Sequence, residues 1–209
     1  MKIKKIVISL ALISFGLSSA YATDATHSMD AQPTNSQSTD SQTTTPATTT
    51  STSATSATQD EKQKEGELIA FLVVLNQNEI AAANEARKKN IKSEVKSYAD
   101  LMKTDHTKNL NDTLELSKQN NLEPKSTPMI DSLKRKGEEE LVVLAPLDST
   151  GFENAYIDAM VKGHEEALMV IDNNFMNSVK NPTLKTHLET TRSHISTHLE
   201  KAKELQKNR

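Results

Sequence analysis

From Leu68 onward, apolar residues return every three or four positions, the period of helices buried along one side. The stripe Leu68, Leu72, Leu75, Glu79, Ala82, Ala86 predicts a helix over residues 61–89. Val95, Tyr98, Met102, His106, Leu110 and Thr113 predict a second over 93–120, with Ser93 as its N-cap. A shorter helix over 128–144 fits between Pro128 and Pro146. Phe152, Tyr156, Met160, His164, Leu168, Ile171 and Phe175 predict a fourth over 149–179. Asn181-Pro182 then reads as a turn with proline at the first position of a fifth helix over 182–207. Leu184, Leu188, Ile195, Leu199, Ala202 and Leu205 form the apolar face of that helix. No period-two alternation interrupts these segments. The expected class is all-α, an up-down bundle of four long helices and one short one.

Each long stripe is broken by a residue that can bind a metal: Glu79, His106, His164, and His194 or His198. Glu79 lies twelve residues before the turn at Ile91, and His106 fifteen after it. His164 lies sixteen before Lys180, while His194 and His198 lie fourteen and eighteen after it. At about 1.5 Å of rise per residue, each hairpin brings its pair to within roughly one turn of a common level. Two of the breaks belong to a repeat, since Tyr98-x-Asp100-x-Met102-x-x-x-His106-x-x-x-Leu110 matches Tyr156-x-Asp158-x-Met160-x-x-x-His164-x-x-x-Leu168. Met, His and Leu at i, i+4 spacing share one helix face, where a core ordinarily places Leu or Ala rather than imidazole.

Two readings of these breaks stay open. In one, the residues share a polar site for a transition metal, with copper, iron or zinc all compatible with imidazole and carboxylate. Met102 and Met160 would add thioethers suited to Cu(I). In the other, each histidine is a structural residue satisfied by a carboxylate or carbonyl, and the bundle serves as an envelope-stress or interaction protein. Asp105 and Glu165 beside the histidines read as solvated charges or as partners that orient the rings. His187 reads as solvent-facing.

Composition narrows the setting. Lys2, Lys4 and Lys5 precede the apolar run Ile6 to Leu17, and Ala20-Tyr21-Ala22 has the form of a signal-peptidase site. Cleavage after Ala22 is expected to release a mature chain into the periplasm or beyond, taking the formal charge from −3 to −6. The run Leu68 to Leu75 is too short to span a membrane. Residues 23–60 are rich in Ser and Thr and lack Val, Ile, Leu, Phe and Tyr, so a disordered tether is expected ahead of the folded domain at 61–209. His27 falls in that tract. The chain has no cysteine, which excludes disulfides, thiolate metal sites and cysteine nucleophiles. Its acidic balance and lack of a basic patch argue against nucleic acid. On the interaction reading the expected partner is another envelope protein.

No enzyme signature is present. Carboxylate-bridged di-iron bundles need Glu-x-x-His on each of two helices, yet the residues three before the candidate histidines are Lys103, Val161, Thr191 and Ile195. No catalytic residues are assigned, and an enzyme is the less favoured class.

The motifs Glu79-Ile80, Val95-Lys96-x-Tyr98-Ala99-x-x-Met102-x-x-Asp105-His106, Gly151-Phe152-x-x-Ala155-Tyr156-x-x-x-Met160-x-x-x-His164 and His198-Leu199-x-x-Ala202 together resemble the ferritin-like domain of unknown function 4142. Its members are exported bacterial proteins often labelled putative outer membrane proteins. The resemblance spans about Leu68 to Leu205 and implies a helical bundle whose recurrent polar positions map onto Glu79, His106, His164 and His198. It implies no activity. Two positions depart from the pattern: Gly163 stands where an acid is expected, and Ser193 where proline is frequent. The second departure would let the last helix run straight and bring His194 toward the site.

Overall fold

A computed structural model describes residues 51–209, with side chains from residue 58. The expected leader at 1–22, and the tether up to residue 50, lie outside the described residues. Five α-helices follow one another: α1 Ser51–Arg87, α2 Ser93–Gln119, α3 Pro128–Leu144, α4 Ser149–Val170 and α5 Pro182–Lys207. No strand occurs among the described residues.

Cross-helix pairs fix the topology. Arg87 pairs with Asp100 and Asn76 with Asn109, so α1 and α2 run antiparallel. Asp105 with His198 and Thr113 with His187 give the same relation for α2 and α5. Asp172 with Arg192 and Glu165 with Lys203 give it for α5 and α4. Glu65 accepts from the backbone of Asn181 at 2.7 Å, and Glu79 lies near His164, which closes an antiparallel ring between α4 and α1. The short α3 packs along α1 and touches α4. It comes so close that a Cβ on Gly137 would overlap the Asn78 amide, which donates to the Leu133 carbonyl at 2.9 Å.

Several helix ends differ from the sequence expectation. α1 begins at Ser51, ten residues before the expected start. Once the apolar face after Leu68 is docked, extending a helix backward adds one hydrogen bond per residue without a new nucleation step. Lys92, not Ser93, occupies the N-cap of α2 without a side-chain bond, and the Lys92 backbone N–H is held by buried Glu153 at 2.6 Å. Thr127 caps α3 and Asn181 caps α5, each accepting from the residue three positions on, with Pro128 and Pro182 opening the helices. The fourth helix does not remain α-helical to residue 179. A π-turn covers Ile171–Phe175. Phe175 at its end lies in the core, its ring 5.4 Å from that of Phe71.

The core is in two parts. One gathers Leu68, Phe71, Leu72, Ile171, Phe175 and Leu188, among others. The other gathers Val95, Met102, Phe152, Tyr156, Met160 and Ala202. Between them along the helices lie Asn76 and Glu79 on α1, His106 and Asn109 on α2, His164 on α4 and His198 on α5, all buried. The stripe breaks therefore form a single polar layer.

Replacing Phe175 with Ala removes a fully buried ring from the first core and should cost about 3–5 kcal/mol. Urea unfolding measures this; a loss below about 1 kcal/mol would show that the first core does not depend on this ring.

Candidate metal centre

Within the polar layer the three imidazoles of His106, His164 and His198 face one another. Their ring centroids are 5.2, 5.6 and 5.9 Å apart. One nitrogen from each ring lies within 4.8 Å of the corresponding nitrogen of the other two. A point at the centre of such a triangle is at most about 2.8 Å from each nitrogen (4.8 Å divided by √3). Bonds of about 2.0–2.1 Å to an ion would need the rings to close by less than about 0.8 Å.

The hydrogen bonds determine which nitrogens are free to act. His106 Nδ1 is 2.8 Å from Asn76 Oδ1. The amide nitrogen of Asn76 donates to the Leu72 carbonyl and to Asn109 Oδ1, both at 2.7 Å, so Oδ1 must be the acceptor and His106 Nδ1 carries the proton. His164 Nδ1 donates to the Met160 carbonyl at 2.8 Å, one helical turn back. His198 Nε2 faces the Asp105 carboxylate at 2.9 Å. Each ring thus has one nitrogen committed to an acceptor, and in a neutral imidazole the other nitrogen is a lone pair. Those remaining nitrogens, His106 Nε2, His164 Nε2 and His198 Nδ1, are buried without a hydrogen-bond partner in the protein. An unsatisfied buried polar atom costs about 1–3 kcal/mol, so three in one layer need a purpose. Anchoring one ring nitrogen on an oxygen while the other points inward is how metal-binding histidines are oriented.

The supporting residues extend outward. Asn109 donates to Thr191 Oγ1 at 2.6 Å, and Thr191 donates to the His187 carbonyl. Thr113 donates to the Asn109 carbonyl and meets His187 Nε2 at 2.8 Å. His187 is accordingly half-buried and bonded rather than facing solvent. Tyr98 donates to the His198 carbonyl at 3.3 Å, pinning α5 at the level of the site.

The other candidates fall outside the triangle. Glu79 is buried, with Oε1 3.9 Å from His164 Nδ1, the nitrogen already bonded to Met160, and with Oε2 unpartnered. It does not join the three nitrogens within 4.8 Å. His194 is exposed, its ring stacked 6.5 Å from that of His198. α5 does run unbroken past Ser193, but this leaves His194 on the outside. Met102 and Met160 are buried in the apolar half of the core beside the layer. A Cβ on Gly163 would come within 3.6 Å of Glu79 Oε1, so an acid there would bring a second carboxyl toward the one on α1.

Asn76, Asn109 and Thr191 were not singled out by sequence. Their signal was weak but real: Asn76 is one turn from Glu79, and Asn109 one turn from His106, on the same buried faces.

A family model described as Domain of unknown function (DUF4142) matches residues 47–205. The chain belongs to the DUF4142 family. No curated protein and no solved structure matches it.

Burial sets the charge state of this DUF4142 site. It pushes His164 and His198 down to about 4, for His198 against the opposing effect of Asp105, and His106 well below its usual value, with the other histidines adding repulsion. All three are neutral at pH 7, the form a metal requires. The same burial raises Glu79 to about 8, and raises Glu140 on α3 to about 7 with a contribution from Glu79.

These shifts give the metal-free protein a bell-shaped stability profile. Histidines lowered from 6.5 toward 4 leave the native state with fewer protons than the unfolded state, so stability is lost as pH falls from 6.5 toward 4. Carboxyls raised from 4.5 leave it with more protons, so stability declines as pH rises toward 7 for Glu140 and 8 for Glu79. The histidines outweigh the acids where the windows overlap, which puts the maximum near pH 6.5. Chemical unfolding of chelator-treated protein should show this peak, and Glu79→Gln should flatten the limb between pH 7 and 8. A profile level from pH 5 to 8 would contradict the buried neutral rings.

Proposed function

We propose that this DUF4142 protein is exported and binds one transition-metal ion through His106, His164 and His198. The observation that carries the reading is the set of three buried ring nitrogens, each without a partner, on rings whose other nitrogen is already bonded to an oxygen. A purely structural cluster would be expected to use those nitrogens within the protein. Borderline ions such as zinc, copper and iron suit an imidazole set, and ligand type leaves the choice among them to availability. Depressed pKa values keep the site ready for metal in mildly acidic surroundings. Export rests on the lysine-led apolar run and the Ala20-Tyr21-Ala22 site, and is compatible with the lack, among the described residues, of a helix long and apolar enough to cross a membrane. No catalysis is assigned.

Protein purified from its own periplasm, with an N-terminus at Thr23, should carry or take up about one equivalent of zinc, copper or iron per chain. His106→Ala/His164→Ala should bind none. Ion at a hundred times its dissociation constant should stabilise the native protein by about 2.7 kcal/mol and leave the double variant unchanged. Equal, negligible metal in both proteins, with unfolding indifferent to chelator, would establish the structural reading instead.

A further inference from the structure

Three ring nitrogens, from His106, His164 and His198, make up the triangle. Among the described residues, no other His, Asp or Glu joins the group. Asp105 Oδ2 is engaged by His198 Nε2, and His194 is exposed. Borderline ions favour four ligands, and a protein that supplies three leaves one position to a molecule from solution. Sites closed by four protein ligands serve structure, whereas sites with three protein ligands bind and exchange a small molecule.

One further group bears on that position. Glu79 is buried on α1 beside His164, too far from the triangle to complete it, and its Oε2 has no partner in the protein. Its α1 neighbour Asn76, three residues earlier, anchors His106. A single turn of α1 therefore provides one residue that orients a ligand ring and one carboxyl that stands just beyond the ligands. The carboxyl's Oε2 is left with hydrogen-bonding capacity that the protein does not use. Gly163, also beside Glu79, brings no side chain there.

On the reading that His106, His164 and His198 bind an ion, we infer that the ion keeps its fourth position for a small exogenous ligand, water or a compact anion, and that Glu79 holds this ligand by a hydrogen bond without binding the ion. The Oε2 atom, buried and without a partner in the protein, is the one that makes this bond. Glu79 is thus a positioning residue for the ligand. All three rings are almost completely buried, so a ligand there must be small rather than an extended substrate.

Co(II) and azide test this directly, because the visible spectrum of Co(II) reports its coordination. In the wild-type chain, azide should shift the Co(II) bands in a saturable, one-to-one titration. Glu79→Gln, a neutral donor of equal reach, should retain Co(II) and bind azide at least as well. Glu79→Leu should retain Co(II) within about threefold of wild-type affinity but bind azide at least fivefold more weakly. Circular dichroism verifies that both variants are folded. Bound Co(II) indifferent to azide, or azide bound as tightly by Glu79→Leu as by wild type, would overturn the inference, and Co(II) lost specifically in Glu79→Leu would overturn it by making Glu79 the fourth ligand; in each case the three-histidine reading would stand. Failure of wild-type protein to take up Co(II), zinc or copper would overturn both.

Discussion

The structure depends on a layer of buried lone pairs between two apolar cores. Aliphatic and aromatic residues at either end of the bundle are packed as in any helical protein, and they fix the four long helices at one relative height. That height brings three imidazoles from three helices to one place. Without those cores the rings would have no reason to meet. Without the rings, the layer could have been filled by Leu and Ala at lower cost in desolvation.

What makes the layer more than a set of core histidines is the direction of its hydrogen bonds. Asn76, the Met160 carbonyl and Asp105 each occupy one nitrogen of one ring, and they come from α1, α4 and α2. The acceptors differ in kind: an amide, a backbone carbonyl and a carboxylate. Their effect is the same, since each fixes the ring tautomer and leaves the other nitrogen as a lone pair. Two Nε2 atoms and one Nδ1 atom thereby stay buried in the layer without a partner. The Asn76–Asn109–Thr191 chain then ties α1, α2 and α5 together at the same level, so ring orientation and helix spacing are set by one network.

Much of this was legible in the sequence because helical stripes and turn residues report depth. Counting from the turns near Ile91 and Lys180 placed His106, His164 and His198 at one level, and the rings do converge. The same count could not separate Glu79 from the three histidines, because carboxylate reach and rotamer decide a few ångströms that rise per residue does not resolve. His194 and His198 were indistinguishable by depth alone; the rotation of α5 leaves His194 exposed and turns His198 inward. Asn76 and Asn109 escaped notice because Asn within a helix is usually a surface residue. The π-turn at Ile171–Phe175 left no trace in the apolar period, and the start of α1 lay in a segment whose composition pointed to disorder.

Nitrogen-15 NMR of the histidine side chains bears most directly on the central claim, because it reports the tautomer and ligation of every ring nitrogen. In metal-free protein at pH 7, His106 and His164 should be neutral with the proton on Nδ1, and His198 neutral with it on Nε2. One equivalent of Zn(II) should then move the signals of His106 Nε2, His164 Nε2 and His198 Nδ1 together, leaving the three protonated nitrogens and His187 and His194 almost unchanged. Rings in the opposite tautomers, or Zn(II) shifts confined to exposed His194, would contradict the account.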